Sequence, residues 1–226
     1  MTTELRAGRI IGTLTLLQMI GGFVLNFVAD APLSGAPGFL VNAAPHAAGI
    51  AAGVLLALLL SGLNVTIAIT AFPVFERHSP ALARALLVVS AVGLACTVLE
   101  QVNAMSMVSV SEFYVKASPA EQAAFGALRA VVAAHRNWAH YLGLFVNGCS
   151  LFVFYLTTLR FRLLPRLLAA FGLAAVALQL VVVARPLFGV PVDFALLMPL
   201  ALAQLLLLGW LVWKGFPAPP SRPVTG

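Results

Sequence analysis

Two ionisable side chains lie within apolar stretches of this chain, and they frame the chemistry it can attempt. Glu100 has Gln101 beside it and Asn103 three residues on, and Cys96, Glu100, Asn103 and Met107 fall on one helical face. His140 opens another apolar stretch, where Asn137, His140, Leu144 and Asn147 share a face. Charged groups in hydrocarbon are costly, so each is a candidate functional group. A Glu–His pair can serve as acid and base, relay a proton, or anchor the polar head of a ligand. The same pair can simply hydrogen-bond and fix helix packing. Glu100 with His135 and His140 could also offer ligands to a divalent metal and its water. The two histidines are five residues apart, however, and do not share a face as in HExxH, so no metal centre is expected. A haem would need histidines on two spans at matching depth, a requirement only His140 with His46 approaches, and none is expected. Asn26, Asp30, His46 and Arg185 lie near the same ends of their apolar runs. Cys96 and Cys149 read as small buried residues at different depths rather than a disulfide.

The elements that must position these groups follow from composition. Of 226 residues, 62% are hydrophobic and 9% charged. That polar fraction cannot cover a soluble core, and the hydrophobicity excludes disorder. Six runs are long enough to cross the roughly 30 Å of a bilayer core: about 10–28, 46–72, 81–107, 138–159, 167–183 and 194–213. Pro199 lies within the sixth, where a kink is expected. Regular two-residue alternation is missing, so a barrel does not fit. The expected fold is all-α: one transmembrane domain over 1–226, built as a six-helix bundle. The first span exceeds the ~7–15 apolar residues of a signal peptide's core and is expected to remain.

Charge orients the bundle. Arg6, Arg9, Arg77, Arg84, Arg160, Arg162, Arg166, Lys214 and Arg222 fall on the side that carries both termini, against Lys116, Arg129, Arg136 and Arg185 opposite. Basic loops stay in the cytoplasm, so both termini are expected there. The net charge of +6 thus serves a lipid surface, and no nucleic-acid partner is expected. Ser118-Pro119-Ala120-Glu121 has the pattern of a helix start. It predicts a short periplasmic interfacial helix over about 119–135, or else an outward extension of the fourth span. Spans three and four run in opposite directions, so Glu100 and His140 come to similar depth. A polar pocket among spans 1–4 follows, with Glu100, Gln101, Asn103, His140, Asn147, His46 and Asn26 as its candidate residues. Gln18, Asn64, Gln179 and Gln204 are scattered polar groups in other spans. Gly49-x-x-x-Gly53 and Gly21-Gly22 allow close helix contact, within the chain or with a second copy.

Several stretches resemble a known family. They are His140-Tyr-Leu-Gly-Leu through Tyr155-Leu, Arg162-Leu-Leu-Pro165-Arg166-Leu-Leu with Gly172, Arg6-Ala-Gly-Arg9, and Ala203-Gln204 through Gly215-Phe216. Together they resemble the bacterial domain-of-unknown-function family 4386, a group of uncharacterised multi-helix integral membrane proteins. The resemblance implies a fold and a location, a bacterial inner membrane, but no mechanism. Gln204 stands where the resemblance leads one to expect a glutamate. The HxxxH pair and intramembrane aspartate of membrane-embedded zinc hydrolases are not present, so that activity does not carry over. The function expected is binding of a lipid or small amphipathic ligand in the outward pocket. A membrane-embedded, metal-dependent lipid enzyme and a small-solute or proton-coupled transporter are the alternatives, and catalytic status stays open.

Overall fold

The computed structural model describes residues 3–217, so Arg222, one of the basic residues on the side of the termini, lies outside the described residues. Within them the chain is helical, with no strands, and six helical segments are long and apolar enough to span a membrane. We label the long helices α1 (Thr3–Val24), α2 (Ala47–Glu76), α3 (Pro80–Lys116), α4 (Phe125–Arg160), α5 (Arg166–Ala184) and α6 (Met198–Lys214). Each packs against its neighbours in the chain, and α6 closes against α1, so the six form a ring. The lipid side of the ring carries exposed Phe23, Leu55, Leu99 and Leu205. Large apolar side chains are stable there because the surrounding solvent is itself apolar.

The inside of the ring differs from end to end. At the end carrying the termini it is filled by one apolar cluster that includes Ile11, Ala68, Phe75, Phe154, Tyr155, Leu207 and Leu211. Phe75 stacks obliquely on Phe154 with ring centroids 5.4 Å apart. At the other end, the α1–α2 connection folds onto α3 through Leu33, Phe39 and Leu40, joined by Ile50 of α2, against Ala104, Met107 and Val108. Ser111 fixes that connection: its hydroxyl donates to Leu40 O at 2.8 Å and accepts from Ala44 N–H at 2.9 Å.

Three expectations change in detail. The stretch 119–135 is not one interfacial helix; of the two readings, the outward extension of the fourth span is the one that forms. A single turn, Pro119–Gln122, ends quickly, and α4 then runs unbroken from Phe125 through the fourth span. No proline interrupts that run, so the hydrogen-bond ladder continues outward. The helix-start signal is real but local: Glu121 accepts from Ser118 N–H at 2.8 Å and from the Ser118 hydroxyl at 2.7 Å. These bonds hold the Glu121 carboxyl below its ordinary range, the hydroxyl contributing most. Pro199 does not kink a helix, because it occupies the first turn of α6, where its missing N–H costs nothing. Pro73, expected at the boundary of the second span, lies within α2, which continues to Glu76.

Candidate functional site

The site begins with a local departure from α-geometry. After Val24 the first helix widens into a π-turn, Leu25–Ala29, closed by Asp30 N–H donating to Leu25 O at 2.9 Å. Such turns are rare and collect at functional sites. Here the turn carries Asn26 and leads directly into Asp30. Gly53 of α2 allows the close approach, since a Cβ there would come within 2.7 Å of Ala29 Cβ.

Three helices contribute charged groups that meet at this point. Glu100 of α3 faces His140 of α4, with Oε1 and Nδ1 2.8 Å apart. With the carboxylate ionised, the imidazole Nδ1–H donates. Arg136 lies one turn before His140 on the same face. Its guanidinium donates to Asp30 Oδ2 at 2.5 Å and approaches Glu100 Oε1 at 3.9 Å. The side chains of Arg136, Glu100 and Asp30 are only 14%, 14% and 17% exposed, so these are ion pairs largely withdrawn from solvent. Burial raises the Asp30 carboxyl above its ordinary pKa, and the Arg136 charge opposes that shift without cancelling it.

Beneath this network lies a cavity of about 360 Å³ inside the ring. Its walls come from all three helices above, from α2 and from Gln204 of α6. Glu100, Gln101, His140, Asn147, Asn26 and Asp30 line it, as do Gln18, Asn64, Ser61 and Thr97. From Asp30 to Gln18 is twelve residues of the first helix, which is roughly 18 Å at about 1.5 Å per residue. The cavity therefore extends over more than half the roughly 30 Å thickness of a bilayer core and stops at the apolar cluster near the termini.

Most of the lining polar groups are partnered. Asn64 donates to Asn147 Oδ1 at 3.1 Å, Gln18 to Leu60 O at 3.0 Å, and Thr97 to Ser61 Oγ at 3.1 Å. Among the buried lining atoms Gln204 Oε1 is not, and in the charge network above the cavity the buried Nε of Arg136 likewise has no hydrogen-bond partner. An acceptor held without a partner in a polar cavity suits a ligand's N–H or O–H, since leaving it unpaired is unfavourable.

Not every candidate from the sequence arrives. Asn103 turns back to donate to Leu99 O at 2.9 Å and does not line the cavity. His46 is exposed at the start of α2, bonded to Asn42 O at 2.8 Å. His135 is exposed on α4, as its five-residue spacing from His140 dictates. Among the described residues, no three His, Cys, Asp or Glu side chains gather with metal-holding geometry. Cys96 and Cys149 are free thiols. Three contributors escaped the sequence reading: Arg136, counted only among the orienting charges, and Thr97 and Ser61, which carry no charge. Arg136 had one legible signal, its four-residue spacing from His140.

The comparison with curated proteins and with solved structures gives no match. The sequence profile of one family, described as a domain of unknown function, does match, and it covers residues 10–215. Nearly the whole ring of helices lies within that match, so the chain is a multi-pass membrane protein that belongs to the DUF4386 family.

Proposed function

We propose that this protein binds a small amphipathic ligand, or the head of a lipid, in the cavity among α1–α4, and that it does so in a bacterial inner membrane with both termini cytoplasmic. The observation that carries this reading is the cavity itself. It is about 360 Å³, carries polar side chains at several levels among apolar ones, and is edged by Glu100 and His140 in direct hydrogen bond. That volume sits near the lower end of the roughly 300–1,000 Å³ typical of ligand pockets. It suits a headgroup or a compact molecule and is too small for a two-chain lipid. Glu100 and His140 would anchor the polar head, and the orphan oxygen of Gln204 would accept from a donor carried deeper. The apolar cluster below the cavity supports a binding pocket over a through-going path.

The test is chemical. Small molecules extracted from the purified wild-type protein are compared by mass spectrometry with those from Glu100→Gln and His140→Ala. A compound present near equimolar ratio in the wild type and depleted at least tenfold in both variants is expected. Equal amounts in all three proteins would contradict the assignment of these two anchors.

A further inference from the structure

A second feature, at the opposite end of the ring and independent of the cavity, concerns the lipid around the protein. An apolar groove of about 630 Å³ runs between α5 and α6 on the outer surface, with Phe171, Trp210 and Trp213 in its walls. It adjoins a smaller depression of about 390 Å³, and the two share Pro165 and Trp210. Arg162 and Lys214 line that depression. No carboxylate among the described residues pairs with either cation. The Lys214 ammonium instead rests 4.3 Å from the centroid of the Trp213 ring, beside the groove.

Arg162 is also an unexpected residue for its backbone. It follows the C-terminus of α4 with φ 56°, and Leu163 N–H donates to Thr158 O at 2.9 Å, the hydrogen bond of a helix-terminating turn. Glycine is the residue that adopts this conformation most freely. The backbone therefore gives no reason for arginine here, and the side chain must be accounted for by what it faces.

We propose that this composite depression and groove is a binding site for one anionic phospholipid. The phosphodiester sits between Arg162 and Lys214, and an acyl chain lies along Trp210, Trp213 and Phe171. Charge complementarity selects the occupant, since two unpaired cations at the mouth of an apolar groove match an anionic head joined to a hydrocarbon tail. Basic pockets between spans at the cytoplasmic face have this character in general.

The test uses the full-length protein in a mild nonionic detergent and measures thermal stabilisation by dioleoylphosphatidylglycerol against dioleoylphosphatidylcholine. Saturable stabilisation by the anionic lipid alone is expected. Each of Arg162→Gly and Lys214→Gln should weaken its apparent affinity about fivefold, the effect of losing one cation at an anionic lipid. Arg162→Gly relieves the backbone, so it should fold at least as stably as the wild type without lipid, which separates lost binding from lost folding. Arg84→Gln removes an exposed charge at the same end of the bundle and should leave the affinity unchanged. Equal stabilisation by the two lipids, or equal weakening by Arg84→Gln, would overturn the site. So would stabilisation by inorganic phosphate matching that of the lipid, which would show that the groove takes no part.

Discussion

Arg136 joins two carboxylates from different helices, and its removal should be felt by both. Arg136→Gln leaves Asp30 and Glu100 close together and without their cation. Losing one member of a fully buried pair costs roughly 3–5 kcal/mol. The slight exposure of these side chains brings the expected loss to about 2–3 kcal/mol. Urea or thermal unfolding in detergent would read it, and adding Asp30→Asn should restore part of the loss. A double variant no better than the single would contradict the pairing. Asp30 also predicts a pH dependence. Its carboxyl is raised by burial above the ordinary 3.8. Stability from this group is therefore full below the ordinary value and is lost as pH rises through the raised native value. Asp30→Asn does not titrate, so the wild type should lose melting temperature relative to it as pH climbs above about 4. A gap moving the other way would show that Arg136 outweighs burial.

At the scale of elements, the approach of helices depends on a few small residues. Gly172 of α5 lies against the buried Tyr155 of α4, and a Cβ there would come within 2.1 Å of the Tyr155 ring. Gly172→Ala should destabilise the bundle by about 1–3 kcal/mol through overpacking, measured as a fall in melting temperature. An unchanged value would mean that α4 and α5 can separate freely at this level. The helices themselves were legible, because length and hydropathy alone mark a span. Their ends were less so. Apolar periodicity alone cannot decide between an interfacial helix and an outward extension of α4 through Arg129 and Arg136, because either one buries the same apolar face. That ambiguity hid Arg136 from the site. The π-turn was also invisible, because no residue type in Leu-Asn-Phe-Val-Ala specifies an extra residue per turn. The meeting of Glu100 with His140 could be read, because opposite span directions fix relative depth.

The whole molecule is a ring sealed by apolar packing at the end with the termini and hollow at the other. The sequence could not reveal this, since Phe75 and Asn64 lie on the same span and only packing decides what each faces. The proposed orientation predicts asymmetric labelling. With Cys96 and Cys149 replaced by alanine, His135→Cys should react with a membrane-impermeant maleimide added to spheroplasts. His78→Cys, exposed at the other end, should react only after lysis. The reverse pattern would invert the bundle. The account rests most heavily on the polar cavity being a ligand site. A high-resolution cryo-EM map of the protein extracted in native lipid tests this most directly. It should show continuous density too large for water between α3 and α4, within hydrogen-bond distance of Glu100 or His140. A map of equal quality with the cavity collapsed, or holding only discrete waters, would contradict the claim.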